Sequence, residues 1–220
     1  YNIDVAALRE GQLKEQGGGY TFFWKGKQLH GVGFAIKNEL INQLNEFPIG
    51  INERLMTLRL NLVGNRYATI ISVYAPTLDA DDEIKEEFYS NLDQVLSGIP
   101  EGDRLILLGD FNSRIGRDSN LWNGAIGKEG MGKVNPSGIL LLTKCAEHNL
   151  TITNSLFHQN KHKTSWQHPQ SKHWHLIDYV IVHARDHKDV HITHAMPGTD
   201  NCWTDHRLIH SIMSIKHAPK

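Results

Sequence analysis

Two polar side chains follow directly after an apolar run in the middle of the chain. Residues 105–108 are Leu-Ile-Leu-Leu, and Gly109, Asp110, Phe111 and Asn112 come next. The run predicts a buried strand, and side chains alternate along a strand, so Asp110 and Asn112 would project to the same side if the extended backbone continues through Phe111. A carboxylate can accept a proton from water or hold a cation, and an amide can donate to an oxyanion, so the pair suits phosphate chemistry. A simple turn is the alternative, because Gly, Asp and Asn are common turn residues.

Acidic residues also accompany two later apolar runs. Asp178 lies within residues 176–182, and an ionised carboxylate in apolar surroundings needs a partner, since otherwise its pKa rises and it becomes neutral. Asp205 and His206 are adjacent before a third run, and neighbours on a strand point apart. We therefore predict that His206 pairs with Asp178 and that Asp205 serves a metal ion or the phosphate. The alternative for Asp178 is a structural carboxylate held by backbone donors.

These motifs, with two further ones, occur in an order that resembles the exonuclease-endonuclease-phosphatase superfamily. The segments that carry the resemblance are residues 74–76 (Tyr-Ala-Pro), 109–112, 164–166 (Thr-Ser-Trp), 177–179 and 204–206. Within the superfamily the chain is most similar to the apurinic-type endonuclease domain of non-LTR retrotransposons, in particular the RTE (BovB-like) clade and the craniofacial development protein 2-like host proteins. Residues 20–24, 50–54, 139–149 and 171–178 support that narrower likeness.

The resemblance implies an α/β fold, a four-layer sandwich of two packed mixed sheets flanked by helices, with the active site at one sheet edge. It also implies that the superfamily's first strand is missing, because the chain begins downstream of the place where that strand should lie. We expect residues 1–220 to form a single domain, which is a fragment truncated at its N-terminus.

The resemblance also implies a metal site and a phosphate site. Mg²⁺, with Mn²⁺ as an alternative, would be held by Glu10 and Asp205, and hard oxygen ligands suit that ion. The loop after Glu10 is shorter than the superfamily pattern, so the alternative is that a deletion removed the ligand. His206 would face the scissile phosphate, oriented by Asp178.

Three further residues complete the implied catalytic set. Asp110 would activate the attacking water, Asn112 would position it and donate to the phosphate, and Tyr74 would supply a hydroxyl. Which of Asp110 and His206 is the general base stays open at this point.

Four residues are candidates for substrate binding to double-stranded DNA, namely Arg114, Trp166, Lys172 and Trp174. Arginine and lysine would contact phosphates, and indole rings could stack on bases or sugars. Solvated loops are the alternative for the basic residues, and core packing is the alternative for Trp166.

Composition limits the classes of partner and compartment. The chain has 23 basic and 24 acidic residues and a formal charge of −1, so any contact with DNA must come from local patches. Two cysteines beside apolar sequence, Cys145 and Cys202, favour free thiols in a reducing compartment. No signal-type segment and no apolar run of about 18 residues is present, so we expect no membrane association. A DNA substrate would place the protein in the nucleus.

Periodicity predicts two helices and a set of strands. The helices cover residues 82–96 and 137–148. The strands cover residues 1–8, 31–37, 54–62, 68–74, 104–108, 151–156, 163–167, 177–182 and 206–215.

Three functions compete on this sequence. The first is a magnesium-dependent DNA endonuclease that nicks a target and leaves a 3'-hydroxyl, which would prime reverse transcription. The second is a catalytically impaired or host-recruited copy that acts as an interaction module, and the third is a phosphatase or phosphodiesterase acting on small phosphorylated substrates.

Overall fold

The computed structural model describes residues 3–9, 18–27, 30–122, 124–158, 163–196 and 205–215. The helices are α1 (Asn38–Ile41), α2 (Asp82–Ser97) and α3 (Pro136–Glu147). The strands are β1 (Val5–Arg9), β2 (Tyr20–Lys27), β3 (His30–Lys37), β4 (Ile49–Gly50), β5 (Leu55–Leu62), β6 (Arg66–Tyr74), β7 (Arg104–Asp110), β8 (Leu150–Ile152), β9 (Trp166–Gln167), β10 (Trp174–His175), β11 (Asp178–His183), β12 (Val190–Ala195) and β13 (Ile209–Met213).

A six-stranded mixed sheet forms the centre of the structure, in the order β4-β5-β6-β7-β11-β8. Strands β6 and β7 are parallel, whereas β11 runs antiparallel to β7. The carboxyl ends of β6 and β7 therefore meet the amino end of β11 at one edge of the sheet. The register places Asp110 between Tyr74 on one side and Asp178 on the other.

Each face of the central sheet is covered by a separate apolar core. Helices α2 and α3 pack on one face through buried side chains such as Phe88, Leu92 and Leu141. The antiparallel sheet β1-β3-β2 packs on the other face, and the alternate residues Val32 and Phe34 of β3 are fully buried there. Burial of each such side chain stabilises the fold by about 1.5–3 kcal/mol.

This architecture confirms the predicted α/β sandwich of packed sheets and helices. Within the described ranges, β1 and β13 each have one edge without a strand partner, and both strands line a cavity of about 610 Å³. No helix in the described part of the chain is long and apolar enough to span a membrane.

Several local predictions are confirmed and others are wrong. The predicted helices agree with α2 and α3 to within a residue at each end, and Asn135 caps α3 by accepting the Gly138 backbone N–H at 2.8 Å. The strand predicted over residues 151–156 ends at Ile152, and a 3₁₀ turn follows at Thr153–Ser155. Strand β2 was not predicted. Cys145 is buried and free, as expected, whereas Cys202 lies outside the described residues.

Candidate active site

Asp178 and His206 form a hydrogen-bonded pair, as the sequence predicts. His206 Nδ1 lies 3.0 Å from Asp178 Oδ2, and both side chains are largely buried. An isolated backbone bridge pairs His206 with Trp166, and the hydrogen bond to Asp178 keeps the imidazole at the amino end of β11. Two distant segments of the chain therefore converge at the edge where β7 ends.

Asp110 completes this cluster from the last position of β7. Its side chain is inaccessible to solvent, and burial, followed by the charge of Asp178, raises the pKa of Asp110 to about 7. The Arg9 guanidinium and His206 act in the opposite direction. A carboxyl group that titrates near neutral pH is suited to proton transfer under physiological conditions.

Asn112 does not project beside Asp110 as an extended backbone would require. Its φ is +46°, a left-handed conformation, so strand geometry has ended before this residue. The Asn112 backbone N–H donates to Asp110 Oδ1 at 2.8 Å, and its side-chain amide donates to the Ala75 carbonyl at 2.8 Å. The motif is therefore both a turn and part of the candidate site, because Asn112 in the turn orients the buried carboxylate of Asp110.

Tyr74 lies at the end of β6, directly beside Asp110 in the parallel register. The residue is 4% exposed, and the guanidinium groups of Arg9 and Arg54 lie over its ring, with their Cζ atoms 5.7 and 5.6 Å from the ring centroid. The structure therefore places Tyr74 at the cluster, as the motif indicated.

The Asp205 side chain contacts Trp166 and Arg9, whereas the His206 side chain contacts Asp178. Its Oδ2 accepts a hydrogen bond from Trp166 Nε1 at 2.7 Å, and its Oδ1 lies 4.0 Å from an Arg9 guanidinium nitrogen. Trp166 is half-buried and serves to orient Asp205, a contact that neither core packing nor base stacking predicted. Glu10, the other predicted metal ligand, lies outside the described residues.

Arg9 is the residue that sequence reasoning missed. It ends β1, and its guanidinium donates to Asp110 Oδ2 at 2.8 Å. The only sequence signal was its position next to Glu10. Neighbouring side chains on a strand point in opposite directions, so either residue could have been the one that faces the site.

Ser165 was missed as well. Its buried hydroxyl oxygen accepts the backbone N–H groups of Ile177 and Asp178, both at 3.1 Å. This fixes the start of β11 and hence the position of the Asp178 side chain. The Thr-Ser-Trp motif therefore acts through its middle residue as well as through Trp166.

The remaining predicted substrate-binding residues are Lys172, Trp174 and Arg114. Lys172 is exposed in the turn between β9 and β10, and Trp174 of β10 stacks under Arg207, whose Cζ is 3.5 Å from the ring centroid. Burial and then the charge of Arg114 lower the pKa of His175.

The donor set of the cluster fits a divalent cation. Ligand atoms of Asp110, Asp178 and His206 all lie within 4.8 Å of one another. A set of oxygen donors alone would favour Mg²⁺. Because this set includes an imidazole nitrogen, it suits Mn²⁺ as well as Mg²⁺. Asp205 does not belong to that group of three, so the predicted metal pair of Glu10 and Asp205 stays a prediction.

Curated proteins of similar sequence exist, although no family model matches the chain. Craniofacial development protein 2 of Bos taurus is 31% identical over 222 residues, which cover 94% of this chain and 36% of that protein. The chain thus spans about a third of the length of the curated relatives it matches.

Several solved structures share this fold. The catalytic domain of Xenopus laevis APE2 has a TM-score of 0.68 at 17% identity, with 98% of this chain and 85% of that chain covered. The endonuclease domain of TRAS1, a telomere-specific non-LTR retrotransposon, has a TM-score of 0.66 at 14% identity, with 96% and 86% covered. The 3' phosphatase NExo from Neisseria, bound to a product DNA hairpin, has a TM-score of 0.66 at 15% identity, with 96% and 89% covered. The chain therefore has the α/β-sandwich fold of the AP-endonuclease-like members of the endonuclease/exonuclease/phosphatase group.

Proposed function

We propose that the protein is a magnesium-dependent DNA endonuclease that hydrolyses a phosphodiester bond and nicks its target. The observation that carries the proposal is the convergence of Asp110, Asp178 and His206 within 4.8 Å at one edge of the sheet. An imidazole braced by a carboxylate, beside a second buried carboxylate, is an arrangement suited to attack of water on a phosphate.

His206 would act on the phosphate itself. The hydrogen bond between Nδ1 and Asp178 fixes the orientation of the ring, so Nε2 is the nitrogen that would face a phosphate oxygen. A hydrogen bond from Nε2 would stabilise the additional negative charge of the pentacoordinate state.

Asp110 would accept the proton of the attacking water. The pKa of about 7 makes this carboxylate a better base at neutral pH than an exposed aspartate. The Asn112 backbone N–H holds one carboxylate oxygen and leaves the other turned towards Arg9. We prefer Asp110 to His206 as base because the partner of His206 is a carboxylate that orients it towards the phosphate.

A bound divalent ion would neutralise charge on the phosphate and its leaving oxygen. The carboxylates of Asp110, Asp178 and Asp205 are the described groups that would hold it or surround it, beside His206, whose two ring nitrogens face Asp178 and the phosphate. In-line hydrolysis would leave a 3'-hydroxyl and a 5'-phosphate, and in a retroelement that hydroxyl would prime reverse transcription. We also propose double-stranded DNA as the partner and the nucleus as the location.

A plasmid-nicking assay tests the proposal. Purified protein with Mg²⁺ should convert supercoiled plasmid to the open-circular form, and Asp205→Ala and His206→Ala should each lower the rate by about 100-fold or more. His191→Ala is the matched control, because His191 is exposed on β12. Intact plasmid at high concentration of folded wild-type protein would contradict the proposal.

A phosphatase is the second candidate, favoured by the fold that the chain shares with the 3' phosphatase of Neisseria. The two functions are separated by offering a 3'-phosphorylated oligonucleotide and a supercoiled plasmid to the same protein. Release of inorganic phosphate without nicking would favour the phosphatase.

A further inference from the structure

Arg9 places a positive charge inside the carboxylate cluster. Its guanidinium is 2.8 Å from Asp110 and 4.0 Å from Asp205, so it lies between two acids that approach from different segments. Within the described ranges, no other lysine or arginine has an ion pair with either carboxylate.

The contact with Asp110 is electrostatically significant because it is buried. The Asp110 side chain has no accessible surface, and a carboxylate in such a place, with Asp178 opposite in the register, requires compensation. The guanidinium provides part of that compensation.

A divalent ion held by Asp110 would use one of the same oxygen atoms. Asp110 Oδ2 is the atom that Arg9 contacts, and the other Asp110 oxygen already accepts the Asn112 backbone N–H. A cation bound to Asp110, or placed between Asp110 and Asp205, would therefore stand within repulsive range of the guanidinium.

The cavity beside Arg9 has room for its side chain in a second position. Its side chain is 25% exposed, and Arg9 lines the same cavity of about 610 Å³ as Asp178 and His206. Swinging into that cavity would return the guanidinium to solvent while the β1 backbone stays in place.

We propose that the Arg9 guanidinium competes with the divalent ion for the carboxylates of Asp110 and Asp205. The guanidinium occupies these carboxylates in the absence of the ion and is displaced when the ion binds. The inference rests on the proposed function, since it concerns the metal site of the same cluster. It implies that metal binding is an exchange of one cation for another, and that metal affinity is lower than the number of carboxylates alone would give.

Titration with Mn²⁺, followed by the electron paramagnetic resonance signal of the free ion, tests this exchange. Arg9→Gln should lower the dissociation constant for Mn²⁺ by about tenfold or more, because a charge within about 4 Å of the ion is removed. Arg9→Lys keeps the charge and should stay within about threefold of wild type. If Arg9→Gln fails to fold, Arg9→Met preserves the packing of the stem and should behave in the same way.

Arg54→Gln is the matched control. Arg54 also stacks on the Tyr74 ring, and it does not contact Asp110 or Asp205, so its loss should leave Mn²⁺ affinity unchanged. Equal tightening in Arg54→Gln, or unchanged or weaker binding in Arg9→Gln, would overturn the inference.

The outcome is separable from that of the plasmid assay. Wild-type protein that nicks plasmid while Arg9→Gln binds Mn²⁺ no more tightly would overturn the competition and leave the proposed function intact. Tighter Mn²⁺ binding in Arg9→Gln, without nicking by any variant, would support the competition and remove the endonuclease.

Discussion

At the scale of single residues, Asp110 makes stability depend on pH in a particular direction. Its pKa is raised by burial, so the folded protein holds a proton that the unfolded chain releases between about pH 4 and pH 7. The associated stability is present at low pH and is lost as the pH rises through about 7. Asp110→Asn removes this titration. The free energy of unfolding of the variant, relative to that of wild type, should therefore rise by about 1–3 kcal/mol between about pH 5 and pH 8, as measured by urea unfolding.

Asp103→Asn provides a control of opposite sign. The Arg59 and Thr69 hydrogen bonds lower the pKa of Asp103 despite its burial, so its contribution to stability is present at neutral pH and is lost at acidic pH. This variant should therefore lose stability relative to wild type as the pH rises through the acidic range to about pH 5, and the difference should stay constant above it. A constant difference between Asp110→Asn and wild type across the range would show that burial does not raise the pKa of Asp110.

The residues of the site differ in how far the sequence predicts their contacts. The pairing of Asp178 with His206 could be predicted, because a buried charge requires a partner and few candidates existed. The role of Arg9 could not, because its distance to Asp110 depends on how β1 and β7 pack, 101 positions apart in the sequence. The contact of Trp166 with Asp205 was missed for the same reason.

At the scale of elements, Gly109 allows β6 and β7 to approach each other where the site is built. Its φ is +145°, and a Cβ atom at this position would collide with the Val73 carbonyl oxygen of β6. Gly109→Ala should therefore lower the free energy of unfolding by about 2–5 kcal/mol, through backbone strain and separation of the two strands. Urea denaturation monitored by tryptophan fluorescence measures this loss.

Gly102→Ala is the matched control for that change. An added Cβ at Gly102 meets nothing within 4 Å, and its φ is not positive, so the variant should remain within about 0.5 kcal/mol of wild type. If Gly109→Ala were as stable as Gly102→Ala, close approach of β6 and β7 would not depend on the missing side chain.

The elements themselves show which sequence patterns are sufficient for prediction. Helix α2 was predictable because its apolar stripe and its acidic first turn indicate the same element. The segment after Ile152 was not, because Thr153 and Asn154 are buried by hydrogen bonds to β11 that no local pattern reveals. Strand β2 lacks clear alternation, and its pairing with β3 is what makes it a strand.

At the scale of the whole molecule, stability is distributed unevenly between the layers. Strands β6 and β7 lie at the centre of the six-stranded sheet, and apolar cores cover both faces. Among the described strands, β1 lies at the edge of its sheet and is only partly buried throughout, and β13 pairs with β12 alone. The side that carries Arg9 is thus the less strongly supported side.

Hydrogen exchange measured by mass spectrometry should reveal this difference. Amides of β1 and β13 should exchange at least about tenfold faster than those of β6 and β7, after correction for intrinsic rates, because local opening there breaks fewer buried contacts. Equal protection of β1 and β7 would mean that the cavity between the β1 and β13 edges does not weaken this layer. Because Arg9 is carried by β1, rapid exchange there would also mean that its contact with Asp110 opens without unfolding of the central sheet, which is the freedom that exchange with a metal ion requires.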